Sequence, residues 1–141
     1  MKYHILDPEV AGGLGSRTEL DSSVHPPLVT RLHYELDAWM GDDLVQTFPC
    51  YLATEKLQAN LAAIHPTGLK FAAAEVTTSE TFRELHPETA VPRLVWLQIS
   101  GVQGKDDFGL TGNARIVVSD RVLRVMQTTR LNYCDVEDFT G

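Results

Sequence analysis

The clearest pattern of apolar and polar positions is a short apolar run that is followed by apolar residues at helical spacing. Residues 50–53 are apolar and predict a strand. Thr54 follows as a candidate N-cap, because its hydroxyl can accept a hydrogen bond from a free amide of the first helical turn. Apolar residues then recur at helical spacing, at Leu57, Leu61 and Ile64. Pro66 and Gly68 predict the end of this helix, and 69–76 predicts a second strand.

The same order of patterns occurs a second time. Residues 116–118 are β-branched and predict a buried strand, and Ser119 is the matching candidate N-cap. The inward face of the second helix is predicted to carry Val122, Val125, Met126 and Thr129. Residues 131–136 predict the strand that leaves this unit.

Individual residue types match between the two occurrences. The side chains of residues 54–57 are, in order, a hydroxyl, an acid, a base and an aliphatic group, and residues 119–122 have the same order. The other matches, in chain order, are 42–44 with 106–108, Leu61 with Met126, Leu69 with Leu131, Phe71 with Tyr133, and Glu75 with Glu137. One copy could not cover both faces of its strands, so the two copies must pack together. We therefore expect an α+β fold, a mixed sheet with two equivalent helices that arise from an internal strand–helix–strand duplication.

The remaining segments fit around these copies in a single domain of residues 1–141. An N-terminal strand and irregular arm occupy 1–31, and repeat 1 covers about 32–76. A connector spans 77–92, and repeat 2 covers about 93–139. Within these segments the pattern predicts strands at 3–6, 28–36 and 94–99, and a short helix at 80–86 capped by Ser79. In 28–36 the alternation predicts a half-buried strand whose largely apolar face carries Leu28, Thr30, Leu32, Tyr34 and Leu36.

Composition and charge restrict the classes of function. The formal net charge is −7 and the sequence pI is about 5.1, which disfavours binding to nucleic acid or to anionic lipid. The same charge suits a basic protein partner. The chain has neither an apolar signal segment nor an apolar run of membrane-spanning length, so we expect a cytoplasmic protein.

Few residues suggest catalysis. Cys50 and Cys134 lack a CxxC spacing, so we expect two free thiols rather than a redox or zinc motif. The five histidines show neither HxH nor HExxH spacing. Residues 13–18 are glycine-rich but lack the lysine and the strand–turn–helix context of a phosphate loop, and predict a flexible loop. We expect no catalytic residue, no metal ligand and no cofactor.

Paired acids precede both copies, at 42–43 and 106–107. Three roles are open for them: capping of turns, a protein-binding surface, or a cation site, since clustered carboxylates can hold magnesium or calcium. Aromatic residues lie beside each pair and could anchor an interface. The predicted partner-binding residues are Trp39, Asp42, Asp43, Asp106, Asp107 and Phe108.

The layout resembles a known family. The residues concerned are the opening at 1–6, the stretch 48–57 and the strand-to-helix turn 116–122. They resemble small immunity proteins of bacterial polymorphic-toxin systems that repeat a strand–(Val-Val-Ser-Glu)–helix turn. The resemblance implies a cytoplasmic protein without enzymatic activity that binds and neutralises a cognate toxin. The alternatives are a ligand-sensing or assembly module, and a metal-dependent enzyme that uses the paired Asp residues.

Overall fold

The computed structural model describes residues 2–140; Met1, part of the opening that carries the resemblance, and Gly141 lie outside this range. The described residues form three helices and fourteen strands. The helices are α1 (Glu55–Ala63), α2 (Glu80–Leu85) and α3 (Asp120–Gln127). The strands are β1 (Tyr3–Asp7), β2 (Glu9–Val10), β3 (Gly12–Leu14), β4 (Glu19–Asp21), β5 (Leu28–Arg31), β6 (His33–Leu36), β7 (Leu44–Thr47), β8 (Cys50–Thr54), β9 (Leu69–Ala73), β10 (Glu75–Thr78), β11 (Leu94–Ile99), β12 (Phe108–Leu110), β13 (Ile116–Ser119) and β14 (Asp135–Phe139).

The strands form three sheets and one hairpin. Sheet A has the order β12-β13-β1-β14, sheet B the order β2-β7-β8-β11-β9, and sheet C the order β10-β6-β3. Strands β4 and β5 form a separate antiparallel hairpin. Two pairs, β2 with β7 and β10 with β6, are parallel and the others are antiparallel. The predicted α+β class with mixed sheets is confirmed.

The predicted caps of the two repeat helices are confirmed. Thr54 accepts a hydrogen bond from the amide of Leu57 at the start of α1, and Ser119 accepts one from the amide of Val122 at the start of α3. The end of α1 is also as predicted. Gly68 has a φ of 81°, and a Cβ there would lie 2.5 Å from the carbonyl oxygen of Phe108, so a side chain does not fit.

The helices α1 and α3 contact each other and share one core with sheets A and B. Leu57 and Leu61 of α1 meet Val122 and Met126 of α3 in that core, and all four are fully buried. The inward face of α3 differs slightly from the prediction. Leu123 is also buried, whereas Val125 is only partly buried.

A second core lies on the other face of sheet B, under sheet C and α2. It contains Tyr34, Leu52, Phe82 and Trp96. The hydroxyl of Tyr34 donates to the carbonyl of Gln46 at 3.0 Å and accepts from the amide of Ala11 at 3.1 Å, so this buried polar group is satisfied. The predicted helix at 80–86 is α2, with Ser79 as its N-cap.

Three strand predictions need correction. The predicted single strand at 28–36 is divided into β5 and β6, with Leu28 exposed and His33 buried. The predicted strand at 69–76 breaks at Ala74, because β9 joins sheet B and β10 joins sheet C. The predicted strand at 131–136 begins later, as β14.

The arm predicted to be irregular holds β2, β3 and β4. Its glycine-rich stretch fits against β6: a Cβ on Gly12 would overlap the backbone of Glu35, and one on Gly15 would overlap the ring of His33. These glycines therefore allow close packing instead of forming a flexible loop.

Sheets A and B repeat one strand order. The hairpin β7–β8 pairs Leu44 with Ala53, next to the cap Thr54, and β12–β13 pairs Phe108 with Val118, next to the cap Ser119. In sheet B the hairpin is followed by β11 and β9, and in sheet A by β1 and β14. Strand β11, which precedes the hairpin β12–β13 in the chain, therefore lies in sheet B, whereas the N-terminal strand β1 lies in sheet A.

This likeness of strand order does not confirm the duplication, which remains a prediction. It does revise the predicted residue matches. The exit strands that correspond by position are β9 and β14, so Leu69 and Phe71 do not match Leu131 and Tyr133, which precede β14. Glu75 and Glu137 lie in different sheets, C and A, and do not correspond either.

Candidate functional site

Asp43 forms a junction between the start of α1 and the segment after α3. Its carboxylate accepts hydrogen bonds from the hydroxyl of Thr54 and from the amide of Arg130, the latter at 2.7 Å. Its own amide donates to the carbonyl of Arg130 at 2.9 Å. We call Asp43, Thr54 and Arg130 the first cap junction.

Asp107 makes the corresponding contacts between the start of α3 and the segment after α1. Its carboxylate accepts from the hydroxyl of Ser119 at 2.7 Å and from the amide of Thr67 at 3.0 Å, just after α1. Its amide donates to the hydroxyl of Thr67 at 2.9 Å. Each Asp thus links the cap of its own helix to the chain that leaves the other helix. We call Asp107, Ser119, Thr67 and Arg121 the second cap junction.

Arg121 distinguishes the second junction. Its Nε and Nη2 atoms donate to the two oxygens of Asp107 at 2.9 and 2.6 Å, and its Nη1 donates to the carbonyl of Ile64 at 2.9 Å. The guanidinium group holds the pKa of Asp107 well below its usual value, against the opposing effect of burial.

Asp42 and Asp106 also bind backbone amides. The carboxylate of Asp42 accepts from the amides of Asn132 and Tyr133 at 2.9 and 2.7 Å. Asp106 accepts from the amide of Val102 at 2.7 Å across a turn. The amide of Asp42 lies 3.3 Å from the carboxylate of Glu9, whose pKa is raised by burial.

The predicted partner-binding residues therefore have mixed locations. Asp42 and Phe108 are 0% exposed, Asp43 is 8% exposed and Asp107 is 7% exposed, so these four side chains are not accessible to a partner. Two retain accessible surface: Asp106 is half-buried, and so is Trp39, whose Nε1 donates to the carbonyl of Asp42 at 2.9 Å. The carboxylates of all four Asp residues accept hydrogen bonds from backbone amides, as expected for the turn-capping role.

Of the two potential nucleophiles, Cys50 is buried and Cys134 is partly buried. Cys50 and Cys134 are free thiols, as predicted, and burial raises the pKa of each to about 12. A thiol with such a pKa is almost entirely protonated near neutral pH and is a weak nucleophile. Within residues 2–140, no group of three or more His, Cys, Asp or Glu side chains is placed to hold a metal ion.

An apolar groove that the sequence pattern did not predict lies between the β4–β5 hairpin and sheet B. Its volume is about 450 Å³. Three large apolar side chains at or beside it are unusually exposed: Val24 at 48%, Leu28 at 58% and Phe48 at 53%. The groove wall includes Tyr51, Trp96, Gln98 and Pro49, and no formally charged side chain lines it. We call this feature the hairpin groove.

A sequence signal for the hairpin groove existed. The arm carries Val24 and Leu28 among polar residues, prolines and glycines, where an ordinary loop needs no large apolar side chains. The alternation of apolar residues from 28 to 36 suggested that Leu28 faces the core. The break between β5 and β6 instead leaves it exposed.

No helix within residues 2–140 is long and apolar enough to cross a membrane. No protein-family model matches the chain, and neither a curated protein nor a solved structure is significantly similar to it.

Proposed function

We propose that this protein is an immunity-type inhibitor that binds and neutralises a cognate bacterial toxin and has no turnover of its own. The observation that carries the proposal is the hairpin groove, where Val24, Leu28 and Phe48 expose large apolar side chains to solvent. Exposed apolar clusters on a folded domain commonly mark sites of protein contact. The resemblance to immunity proteins and the net charge of −7 agree with this role.

The buried acids support a binding role over the metal-enzyme alternative. Oxygens of Asp42, Asp43 and Asp107 accept hydrogen bonds from backbone amides or cap hydroxyls. Binding a cation through these oxygens would require breaking contacts that hold the helix starts in place. Their geometry therefore favours a structural role.

The net charge supports a basic partner. Exposed acids include Asp21 on the hairpin, and Glu137 and Asp138 on β14. An acidic surface attracts a basic protein over distances of about a Debye length and increases the association rate. Inhibition of a toxin that acts inside the producing cell would take place in the cytoplasm.

A ligand-sensing module is the second candidate. The hairpin groove, at about 450 Å³, lies within the size range of small-molecule sites. A small molecule confined to the lining residues would contact Val24 and Leu28 but would leave Phe48 in water, whereas a protein surface could cover all three. The first candidate therefore accounts for more of the observed surface.

The test is a binding measurement between the purified protein and the product of the adjacent gene at several salt concentrations. We expect a tight complex, an association rate that falls with added salt, and loss of the toxin's activity in the complex. The absence of binding would contradict the proposal, and so would substrate turnover by the purified protein alone.

A further inference from the structure

We infer that the hairpin groove is the site where the partner docks, and that it receives an uncharged aromatic or aliphatic side chain flanked by a basic residue. This inference rests on the proposed function, and it assigns the contact surface and the chemistry of the partner. Four features of the groove lead to it: its lining, its rim, its walls and a nearby carboxylate.

The lining determines that the inserted group is apolar. Trp96, Tyr51 and Pro49 form part of it, and no charged side chain is available to pair with an inserted charge. The hydroxyl of Tyr51 is already bonded to the carbonyl of Ala114 at 2.7 Å and to the amide of Ile116 at 3.1 Å. A charged group in this groove would lose its hydration without gaining a partner.

The exposed apolar rim favours a protein as the occupant. Leu28 is 58% exposed, Phe48 is 53% exposed and Val24 is 48% exposed. Val24 and Leu28 belong to the groove lining, and Phe48 lies outside it, next to Pro49 in the chain, so an occupant that covers all three must extend beyond the groove. A central anchor surrounded by a rim that excludes water is the usual arrangement of a protein interface with a dominant contact.

The walls are held in place before binding. Trp96 is 8% exposed and Tyr51 is 5% exposed. Tyr51 packs in the core shared by α1 and α3, and Trp96 packs in the second core. On the hairpin side, Leu28 is paired with Asp21 in the β4–β5 ladder. A preformed groove reduces the ordering cost of binding.

Asp21 supplies the charge complementarity. It lies opposite Leu28 in the ladder and is exposed, and among residues 2–140 its carboxylate hydrogen-bonds only to Ser23. A lysine or arginine beside the partner's apolar anchor would therefore meet a carboxylate at the edge of the groove. The net charge of −7 acts in the same direction.

The experiment compares matched variants in binding to the product of the adjacent gene. Leu28→Glu places a charge on the rim, and Leu85→Glu does the same at an apolar residue on α2 that is 68% exposed. We expect Leu28→Glu to weaken binding roughly 30-fold and Leu85→Glu to leave it within about twofold. Equal affinities for wild type and Leu28→Glu would overturn the inference while leaving the proposed function intact.

A second pair tests entry into the groove. Gln98→Trp adds bulk to the wall, whereas Gln127→Trp adds the same bulk at an exposed position on α3. We expect only Gln98→Trp to accelerate dissociation, by roughly tenfold or more. A dissociation rate for Gln98→Trp equal to that of wild type would show that no side chain of the partner enters the groove. Each variant's fold is verified by its thermal unfolding curve.

A third pair tests the flanking charge. Asp21→Lys should lower the association rate several-fold at low salt and flatten its salt dependence, compared with Glu84→Lys on α2. Native mass spectrometry distinguishes a protein occupant of the groove from a small-molecule occupant. A small molecule that co-purifies with wild type and is lost from Gln98→Trp would overturn the protein anchor, whereas failure of wild type to bind the adjacent gene's product would refute the proposed function and this inference together.

Discussion

The two cap junctions perform the same task with different groups. In both, an aspartate accepts a hydrogen bond from the cap hydroxyl of its own helix and from an amide beyond the other helix. Only the second junction adds a guanidinium group. Arg121 binds Asp107 through two nitrogens and also reaches the carbonyl of Ile64 at the end of α1.

The corresponding residue after Thr54 is Lys56, which is exposed. Both basic residues lie in the first turn of a helix, where the dipole disfavours a cation. Arg121 offsets that cost through Asp107 and through the C-terminal carbonyls of α1, which favour a cation. The second junction therefore has more bonds between α3, the segment before β12 and the end of α1, and it should contribute more to the free energy of unfolding.

The largest expected effect comes from the two aspartates. Asp107→Asn should lower the free energy of unfolding by about 3 kcal/mol, because it weakens two hydrogen bonds and leaves Arg121 without its counter-ion. Asp43→Asn should lower it by about 1.5 kcal/mol, because only neutral donors face Asp43. Urea denaturation measures both, with the exposed Asp37→Asn as the control. Equal losses at the two junctions would contradict the comparison.

The next effect comes from exchanging the two basic residues. Arg121→Lys should cost about 1 kcal/mol, because a lysine cannot form the two parallel bonds to Asp107; solvent screening limits the loss, since Arg121 is 44% exposed. Lys56→Arg should leave stability nearly unchanged, because position 56 is exposed and an ion pair formed there would be screened by solvent. Thermal unfolding distinguishes the two variants. A gain in stability for Lys56→Arg would show that the first junction can also hold a guanidinium group.

Removal of the cap hydroxyls should have a similar or smaller effect. Ser119→Ala and Thr54→Ala should each lower the free energy of unfolding by about 1 kcal/mol, because each leaves one first-turn amide without its acceptor. The exposed Ser22→Ala is the matched control. A loss below about 0.3 kcal/mol at either site would mean that water replaces the cap.

The smallest expected effect is a difference in pH dependence. The pKa of Asp107 is lower in the folded protein than its usual value, so the folded state binds its proton less readily than the unfolded state. The resulting stabilisation is present above the unfolded pKa of about 3.9 and is lost as the pH falls below it. Between pH 5 and 3.5, wild type should lose more stability than Asp107→Asn, by less than about 1 kcal/mol. Parallel stability curves for the two proteins would show that the ion pair does not form.

The sequence predicted the local parts of the cap junctions well. A hydroxyl residue, an acid and an apolar spacing of three to four positions define a helix start within one turn, so Thr54 and Ser119 could be identified as caps. The acids before each unit were recognised, but three roles remained open for them. Their partners, Arg130 and Thr67, lie 87 and 40 residues away, and no local rule connects such distant positions.

The candidate binding surface was less predictable. Trp39 was selected as a surface aromatic, and it is half-buried with its indole nitrogen bonded to Asp42. Phe108 was selected for its position beside an Asp pair, and it is fully buried. Leu28 was assigned to the core by alternation, and it is exposed at the hairpin groove. In each case, burial depends on which distant segment covers the residue.

The sequence by itself determined the α+β class, the two capped helices, the free thiols and the acidic balance, because each follows from short-range spacing or from composition. The tertiary structure alone decided that β1 joins the sheet of the second unit while β11 joins that of the first. It also decided that Asp42, Asp43 and Asp107 face inward, and that the β4–β5 hairpin leaves an apolar groove. The physical reason is that strand pairing and burial depend on contacts between residues far apart in the chain, whose relative positions are fixed only when the whole core has packed.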